Sequence, residues 1–186
     1  MNVYDFDKTI CYKDSTFAFW CFCLKQKPWI VVFLPIQMCS LLLHRLRLTN
    51  KPNSWWMYLR FMNINDAMVQ RFADKHERHI CEWYLQQKQP DDVIVSASAD
   101  FIVKEICRRL GVSCVASQVD IETGRYHQPA CHGKEKVRQF RAVYPEAVVY
   151  KSYGNAESDQ YIMNEGQHAY LVKNYSRTEV DFQQWH

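Results

Sequence analysis

The chain has 186 residues, of which 48% are hydrophobic and 23% are charged, and its formal net charge is +3. This composition excludes an intrinsically disordered chain, and the length predicts one domain, or one domain that carries an insertion. A net charge of this size does not by itself indicate a partner, so the distribution of charge along the chain matters more than its sum.

The first predicted element is a short strand at residues 2–6, NVYDF. It leads into DFDKT, residues 5–9, where Asp5 and Asp7 stand two residues apart at the end of the apolar segment. Taken alone, such a pair of acids is typical of a solvated turn. The few residues in front of Asp5 leave no room for a signal peptide. We therefore expect Asp5 to belong to the folded protein, and we expect a cytoplasmic protein with reduced thiols.

Residues 12–90 differ from the rest of the chain, because they are rich in aromatic side chains and contain no clear strand pattern. We predict that they form an all-helical insertion. The segment from Ser15 to Asn65 contains no Asp or Glu but holds six basic residues and four of the six tryptophans, so it is distinctly cationic. These residues are Lys25, Lys27, Arg45, Arg47, Lys51 and Arg60, and Trp20, Trp29, Trp55 and Trp56.

An uncharged run of 16 residues, PWIVVFLPIQMCSLLL, occupies positions 28–43 of this insertion and is interrupted by Pro35. A membrane-spanning helix needs about 20 apolar residues, so the run is not predicted to cross a bilayer. Its tryptophan and its basic flanks favour a segment that lies in the interface of an anionic membrane. The alternative is a pair of helices that pack over the active site, with the basic residues as a solvated rim, and the two interpretations are compatible.

From residue 91 onward, predicted strands and helices alternate along the chain. This alternation predicts an α/β fold with a Rossmann-like parallel sheet that is covered by helices on both faces. Ligands of such sheets bind outside the carboxyl ends of the strands. The strands are predicted at residues 91–98, 113–117, 147–154 and 169–174, the helices at 100–111, 134–144 and 157–166, and a hairpin that turns at Gly124 at 119–127.

Three strand ends carry polar side chains of related chemistry, in DFDKT (5–9), SAS (96–98) and GNAESD (154–159). Carboxylate and amide oxygens suit Mg²⁺, and an ionised carboxylate can attack phosphorus to form an acyl phosphate. A second carboxylate can protonate the leaving oxygen and then deprotonate water. The phosphoryl oxygens need hydrogen-bond donors and a cation, which the SAS loop and a lysine at a helix start would supply.

The segments DFDKT, VIVSAS, GKEKV and YGNAESD follow one another in the order of the four motifs of the haloacid dehalogenase superfamily. The chain therefore resembles that superfamily, and most of all its phosphoserine-phosphatase-like branch, in which a helical cap follows the first motif. Within that branch, the aromatic cap and the last two motifs look most like bacterial phosphatidylglycerophosphate phosphatases. The resemblance implies a core domain of residues 1–11 and 91–186 and a cap of residues 12–90.

The resemblance also implies roles for the residues of the first two motifs. Asp5 would be the nucleophile and a Mg²⁺ ligand. Asp7 would be the general acid and base, with its main-chain carbonyl on the metal. Ser96, together with the amide of Ala97, would bind the phosphate. For Thr9 the implied role is to support the loop, and a simple turn residue is the alternative.

The fourth motif places Asn155 and Asp159 where the metal is held or supported. The family usually has Asp at the position of Asn155. An amide oxygen can coordinate Mg²⁺, but it brings no charge. The resemblance therefore predicts weaker metal binding than is usual in the family, and it leaves open a weakly catalytic protein.

The GKEKV segment contains two lysines, and one of them is expected to bind the phosphate. We predict that Val137, Phe140 and Tyr144 form the buried face of this helix. At about 100° per residue, Lys136 lies nearer to that face than Lys134. The pattern of phosphatidylglycerophosphate phosphatases also has its lysine directly before the valine. We therefore favour Lys136, and Lys134 is the alternative.

Together these features predict a Mg²⁺-dependent phosphomonoester hydrolase that acts through an aspartyl-phosphate. The favoured substrate is a phosphorylated lipid head group such as phosphatidylglycerophosphate. The alternatives are a small soluble phosphomonoester such as phosphoserine, and a weakly catalytic phosphate-binding or regulatory protein. We expect a cytoplasmic location with peripheral contact at the inner face of an anionic membrane through the cap. No nucleic-acid partner is expected, because the basic segment is apolar and lacks a recognisable binding motif.

Overall fold

The computed structural model of the protein describes residues 1–33 and 63–180, together with residues 35, 38, 39, 42 and 46. Much of the cationic segment therefore lies outside the described residues. This applies to four of its basic residues and two of its tryptophans, which are Arg45, Arg47, Lys51 and Arg60, and Trp55 and Trp56.

The described residues contain six strands that form one sheet. The strands are β1 (Asn2–Tyr4), β2 (Val93–Ala99), β3 (Ser113–Ser117), β4 (Val149–Gly154), β5 (Gly166–Lys173) and β6 (Ser176–Val180). Their order across the sheet is β3-β2-β1-β4-β5-β6. Neighbouring strands are parallel, except that β6 is antiparallel to β5. Strand β1 pairs with β2 on one side and with β4 on the other, so it lies where the chain reverses its direction across the sheet.

Helices and helical turns connect the strands. The α-helices are α1 (Ser15–Gln26), α2 (Asp66–His76), α3 (Glu82–Gln87), α4 (Asp100–Leu110), α5 (Lys134–Val143) and α6 (Gln160–Met163), and 3₁₀ turns lie at Pro28–Phe33, Glu77–His79 and Glu157–Asp159. The side chain of Asp14 accepts the N–H of Phe17 at the start of α1, and Asn65 caps α2 in the same way. Gly111 ends α4 in the left-handed conformation that favours glycine, with φ of 70°.

The sheet has a hydrophobic core on both faces, because successive strand residues point to opposite sides. In β1, Tyr4 belongs to a large cluster that includes residues of α1, α2 and α4, whereas Val3 packs in a second cluster with Phe140 of α5. This arrangement confirms the predicted α/β fold with a sheet covered on both faces. The described helices between β1 and β2 share the large cluster with the sheet, and among the described residues of this insertion no strand occurs.

The structure corrects the sequence-based elements in three places. Strand β6 was not predicted, because its residues, SRTEV, are mostly exposed and lack an alternating apolar pattern. The hairpin expected at 119–127 is reduced to a single bridge between Val119 and Tyr126. The helix expected at 157–166 is a 3₁₀ turn followed by the four-residue helix α6. Among the described residues, no helix combines the length and the apolar composition needed to span a membrane.

Candidate active site

Polar side chains gather at the carboxyl ends of the three central strands. Asp5 directly follows β1, Ser96 and Ser98 lie in the last part of β2, and Asn155 directly follows β4. Because β1 separates β2 from β4, the three strand ends meet at the topological switch point of the sheet, where ligands of open α/β sheets bind. The order of the strands therefore brings three of the four sequence motifs to one edge.

Asp5 is buried at this edge of the sheet, where it is only 6% exposed. Its main-chain N–H donates to the carbonyl of Tyr153 at 2.8 Å, which ties it to β4. Its Oδ2 accepts the Thr9 hydroxyl at 2.8 Å, and its Oδ1 accepts the Lys136 ammonium at 2.5 Å. The contact gives Thr9 a direct hydrogen bond to the predicted nucleophile. Burial raises the pKa of the Asp5 carboxyl to about 7, although the attraction of Lys136 opposes this.

Lys136 joins Asp5 to Asp159, since its Nζ also donates to Asp159 Oδ1 at 2.8 Å. Burial by itself lowers the pKa of Lys136, but the two carboxylates more than offset this and raise it above the ordinary value, so the side chain is an ammonium at neutral pH. Lys134 is exposed, and its Nζ lies 5.5 Å from the ring centre of Tyr161. The structure thus brings Lys136 to Asp5 and leaves Lys134 outside this network.

Asp159 also holds the loop that follows β4. Its Oδ2 accepts the main-chain N–H of Asn155 at 3.2 Å and that of Ala156 at 3.1 Å. This close approach depends on Gly154, because a Cβ at that position would lie only 2.6 Å from the Cβ of Asp159. Asp159 therefore supports both this loop and Lys136. Contact of its carboxylate with a metal stays a prediction.

Asp7 lies between the sheet and the first helix of the insertion. Its Oδ1 accepts the main-chain N–H of Ser15 at 2.6 Å, and its Oδ2 accepts the Ser98 hydroxyl at 2.5 Å. Burial raises the pKa of the Asp7 carboxyl to about 6, while the hydrogen bond from Ser98 works in the opposite direction. A carboxyl with this pKa can both release and accept a proton near neutral pH.

The loop at the end of β2 is held by its own hydrogen bonds. The main-chain N–H of Ser98 donates to Ser96 Oγ at 3.1 Å, and the Ser117 hydroxyl of β3 donates to the carbonyl of Ala97 at 2.8 Å. The Ser96 side chain is fully buried, and Ala97 is half-buried. The contacts constrain the backbone of the predicted phosphate-binding loop.

Three further side chains lie around Asp7, those of Ser15, Thr16 and Ser98. The sequence alone did not assign these side chains to the site. The Ser98 hydroxyl is 3.0 Å from that of Ser15 and 2.9 Å from that of Thr16, so α1 contacts the β2 loop directly. The only sequence signal was that Ser98 follows Ser96 at a spacing of two, as Asp7 follows Asp5. Ser15 and Thr16 gave no signal, because their role depends on where α1 packs.

Among the described residues, no three or more His, Cys, Asp or Glu side chains form a group that could hold a metal. The metal donors predicted from the sequence are the Asp5 carboxylate, the main-chain carbonyl of Asp7, the Asn155 amide and the Asp159 carboxylate, all of them oxygen donors. Mg²⁺ prefers such ligands and commonly binds through one or two carboxylates while it keeps several waters. A nearby cation would also lower the pKa of Asp5 and keep its carboxylate ionised.

The fold and the site define an α/β protein with a paired-carboxylate centre at its topological switch point. The chain belongs to the haloacid dehalogenase-like hydrolase family, whose model matches residues 3–164. This match confirms the predicted family and its hydrolase class. No curated protein matches the chain.

Solved structures support the same fold. A protein of unknown function from Bordetella pertussis Tohama I is 12% identical, with a TM-score of 0.70 over 91% of this chain and 87% of that one. A phosphoserine phosphohydrolase-like protein from Francisella tularensis subsp. tularensis SCHU S4 is 14% identical, with a TM-score of 0.61 over 94% and 88%. A phosphoserine phosphatase, described as a phospho-aspartyl intermediate analogue, is 13% identical, with a TM-score of 0.53 over 90% and 83%. At these identities the likeness concerns the fold.

Proposed function

We propose that the protein hydrolyses a phosphate monoester through a phosphorylated Asp5, in a reaction that requires Mg²⁺. The observation that carries this proposal is the placement of the two carboxylates. The Asp5 carboxylate accepts hydrogen bonds from Thr9 and Lys136. The Asp7 carboxylate, two residues later in the chain, accepts hydrogen bonds from Ser98 and Ser15. This placement supports Asp5 as the nucleophile and Asp7 as the proton donor and acceptor.

In the first step, an oxygen of Asp5 attacks phosphorus and the bond from phosphorus to the leaving oxygen breaks. Asp7 gives its proton to that oxygen, so an alcohol departs and Asp7 becomes ionised. In the second step, Asp7 takes a proton from water, and the water oxygen attacks the same phosphorus. The bond from phosphorus to Asp5 breaks, inorganic phosphate leaves, and both carboxyl groups return to their first state.

The charge on the phosphoryl oxygens needs fixed donors. We assign this role to Lys136 and to the Ser96–Ala97 loop, which lie beside Asp5 and at the end of β2. Mg²⁺, when bound to Asp5, the Asp7 carbonyl and Asn155, would neutralise phosphate charge. Asp159 holds Lys136 and the Asn155 loop in place.

For the substrate we favour a phosphorylated lipid, and the composition and exposure of the insertion support this choice. The segment from Ser15 to Asn65 has basic but no acidic residues. After α1, apolar side chains are at least half exposed at several described positions, namely Trp29, Val31, Val32, Met38, Leu42 and Leu46. Exposed apolar groups with cationic neighbours suit the surface of an anionic membrane. We accordingly propose a cytoplasmic protein that contacts such a membrane peripherally.

A small soluble phosphomonoester such as phosphoserine is the second candidate. It is favoured by the fold that the chain shares with phosphoserine phosphatase structures. Asn155 favours a third candidate, a weakly catalytic phosphate-binding protein, because an amide in the metal site contributes no charge.

A panel of phosphomonoesters, assayed with and without Mg²⁺, tests the proposal. Phosphatidylglycerophosphate in mixed micelles, phosphoserine and inorganic pyrophosphate as a non-ester control form the core of the panel. We expect Mg²⁺-dependent release of phosphate that is fastest with the lipid. Fastest turnover of phosphoserine would select the second candidate. Phosphate binding with no turnover of any ester at saturating Mg²⁺ would select the third.

Sedimentation with vesicles tests the membrane contact separately. The protein should bind anionic vesicles better than neutral ones, and binding should weaken with salt, because exposed charges are screened over about 10 Å at 0.1 M. The double variant Arg45→Glu and Arg47→Glu should release it, since each basic residue near an anionic surface contributes about 1 kcal/mol. Hydrolysis of a soluble ester should remain. Absence of vesicle binding at every salt concentration would contradict the membrane contact.

A further inference from the structure

The hydroxyl of Ser98 lies at the centre of a small cluster of side-chain hydroxyls beside Asp7. It donates to Asp7 Oδ2 at 2.5 Å, and it lies 3.0 Å from the Ser15 hydroxyl and 2.9 Å from the Thr16 hydroxyl. Ser15 and Ser98 are buried, and Thr16 is half-buried. The reaction steps of the proposed function involve Asp7 but none of these three hydroxyl groups.

The number of available protons fixes the direction of each hydrogen bond in this cluster. A serine hydroxyl has one proton to donate and two lone pairs that accept. Ser98 gives its proton to the ionised carboxylate of Asp7, so Ser15 and Thr16 must donate to the two lone pairs of the Ser98 oxygen. Every bonding direction of the Ser98 hydroxyl is then occupied, and its proton is held toward Asp7.

Asp7 is bound at both of its carboxylate oxygens by two different parts of the fold. Its Oδ2 is bound by Ser98 at the end of β2, and its Oδ1 is bound at 2.6 Å by the main-chain N–H of Ser15 at the start of α1. A single hydrogen bond would leave the carboxylate free to turn about its Cβ–Cγ bond. Two bonds from separate elements fix its plane, and a proton donor needs this because proton transfer depends on distance and direction.

The main chain of Ser98 makes a second contact, which belongs to a different part of the site. Its N–H donates to Ser96 Oγ at 3.1 Å, and Ser96 is one of the residues that we assign to the phosphate. Replacement of Ser98 by alanine removes the hydroxyl but keeps this N–H. The contact with Asp7 can therefore be tested separately from the support of Ser96.

We propose that Ser98 is a positioning residue for the proton donor Asp7, and that Thr16 positions the Ser98 hydroxyl in turn. This inference rests on the proposed function. It makes the alignment of Asp7 depend on the packing of the first turn of α1 against the end of β2, since Ser15 and Thr16 belong to α1. Loss of either the Ser98 or the Thr16 hydroxyl should slow protonation of the leaving oxygen more than it weakens substrate binding.

Two phosphate esters with different leaving groups test this inference, because only one of them needs a proton donor. p-Nitrophenyl phosphate releases a phenolate that departs without protonation, whereas an alkyl ester releases an oxygen that must be protonated. The alkyl ester is phosphatidylglycerophosphate in mixed micelles or phosphoserine, whichever the wild type hydrolyses faster. The measurement is kcat/KM, which reports the steps up to departure of the leaving group and excludes hydrolysis of the aspartyl-phosphate.

In Ser98→Ala, kcat/KM for the alkyl ester should fall by about tenfold, as expected for the loss of a hydrogen bond to a charged group. The fall for p-nitrophenyl phosphate should be no more than about twofold, and the inhibition constant of inorganic phosphate should be the same as in the wild type, because the N–H of Ser98 remains. Thr16→Val keeps the shape of the side chain and should lower kcat/KM for the alkyl ester by about threefold, and Thr16→Ser should restore it.

Ser117→Ala is the matched control. Ser117 is buried, and its hydroxyl donates to the carbonyl of Ala97 in the loop that contains Ser98, whereas the described hydrogen bonds do not join it to Asp7. Loosening of the loop as a whole should therefore change kcat/KM for the two esters by the same factor in this variant.

The possible results separate the inference from the proposed function. Equal losses for the two esters in Ser98→Ala overturn the inference and leave the proposed function intact, because Ser98 would then stabilise the site only as a whole. If Ser98→Ala does not fold, an unchanged ratio of the two kcat/KM values in Thr16→Val overturns the inference in the same way. Failure of the wild type to hydrolyse any of these esters at saturating Mg²⁺ overturns the proposed function and this inference with it.

Discussion

Replacing Lys136 by methionine keeps the length of the side chain but removes the cation between two buried carboxylates. Lys136 is 1% exposed and donates to Asp5 Oδ1 at 2.5 Å and to Asp159 Oδ1 at 2.8 Å. Removal of one partner from a buried ion pair costs about 3–5 kcal/mol, because the remaining charge is left without compensation. We expect a loss of that size in the free energy of unfolding at pH 7 without Mg²⁺. For a chain of this length it corresponds to a fall in Tm of between about 6 and 20 °C.

The cost should depend on pH in a defined direction. Burial already raises the pKa of Asp5 to about 7 against the attraction of Lys136, so the loss of Lys136 raises it further. Between about pH 7 and that higher value, the folded variant binds a proton that neither the folded wild type nor the unfolded chain binds, because an unfolded aspartate has an ordinary pKa near 3.9. Proton uptake by the folded state stabilises it as the pH falls through this window. The difference in stability between wild type and variant should therefore be smaller at pH 7 than at pH 9.

Urea denaturation at pH 9 and pH 7, in the presence of a chelator, measures both effects. Lys134→Met is the matched control, because Lys134 lies two residues earlier in the same helix and is exposed. Exposed substitutions of this kind usually change stability by less than about 0.5 kcal/mol. Equal losses in the two variants would refute the reasoning from the buried ion pairs. A loss in Lys136→Met that is the same at both pH values would refute the assignment of the proton uptake to the freed carboxylates.

Asp5→Asn should abolish turnover, because an amide is too poor a nucleophile to form the covalent intermediate. Near wild-type rates of this variant in a steady-state assay would contradict the aspartyl-phosphate intermediate. Asp7→Asn should reduce kcat by about 10²-fold or more through loss of proton transfer, and an unchanged kcat would assign Asp7 a structural role only. Asn155→Asp should lower the Mg²⁺ concentration that gives half-maximal activity by adding a carboxylate to a site for a hard cation; no decrease would place this side chain outside the metal's ligands. Burial lowers the pKa of His76 to about 4, so between pH 6.5 and pH 4 the unfolded chain binds the extra proton and the native state loses stability as the pH falls. His76→Gln should remove up to about 3 kcal/mol of that loss from the pH dependence of urea denaturation, and the same pH dependence in both proteins would contradict the burial of a neutral imidazole.

Local patterns in the sequence were sufficient for the elements that follow a regular period. Helix α4 was expected at 100–111 and is observed at Asp100–Leu110, because its apolar residues recur with the period of a helix and a glycine ends it. The same period favoured Lys136 over Lys134, and in the structure Lys136 is buried in α5 while Lys134 is exposed. The phosphate-binding role of Lys136 stays a prediction, as do the domain boundaries at residues 11 and 91.

The sequence by itself determined two features: the alternation of strands and helices, and the carboxylate pair at Asp5 and Asp7. Each of them depends only on residues that are close together in the chain. Only the tertiary structure decided which distant groups those carboxylates meet. Lys136 reaches Asp5 across 131 positions and Ser98 reaches Asp7 across 91, and both contacts depend on the order in which β2, β1 and β4 pair. The raised pKa values of the two carboxyls likewise follow from burial beneath α1 and α5, because desolvation depends on the packing of the whole chain.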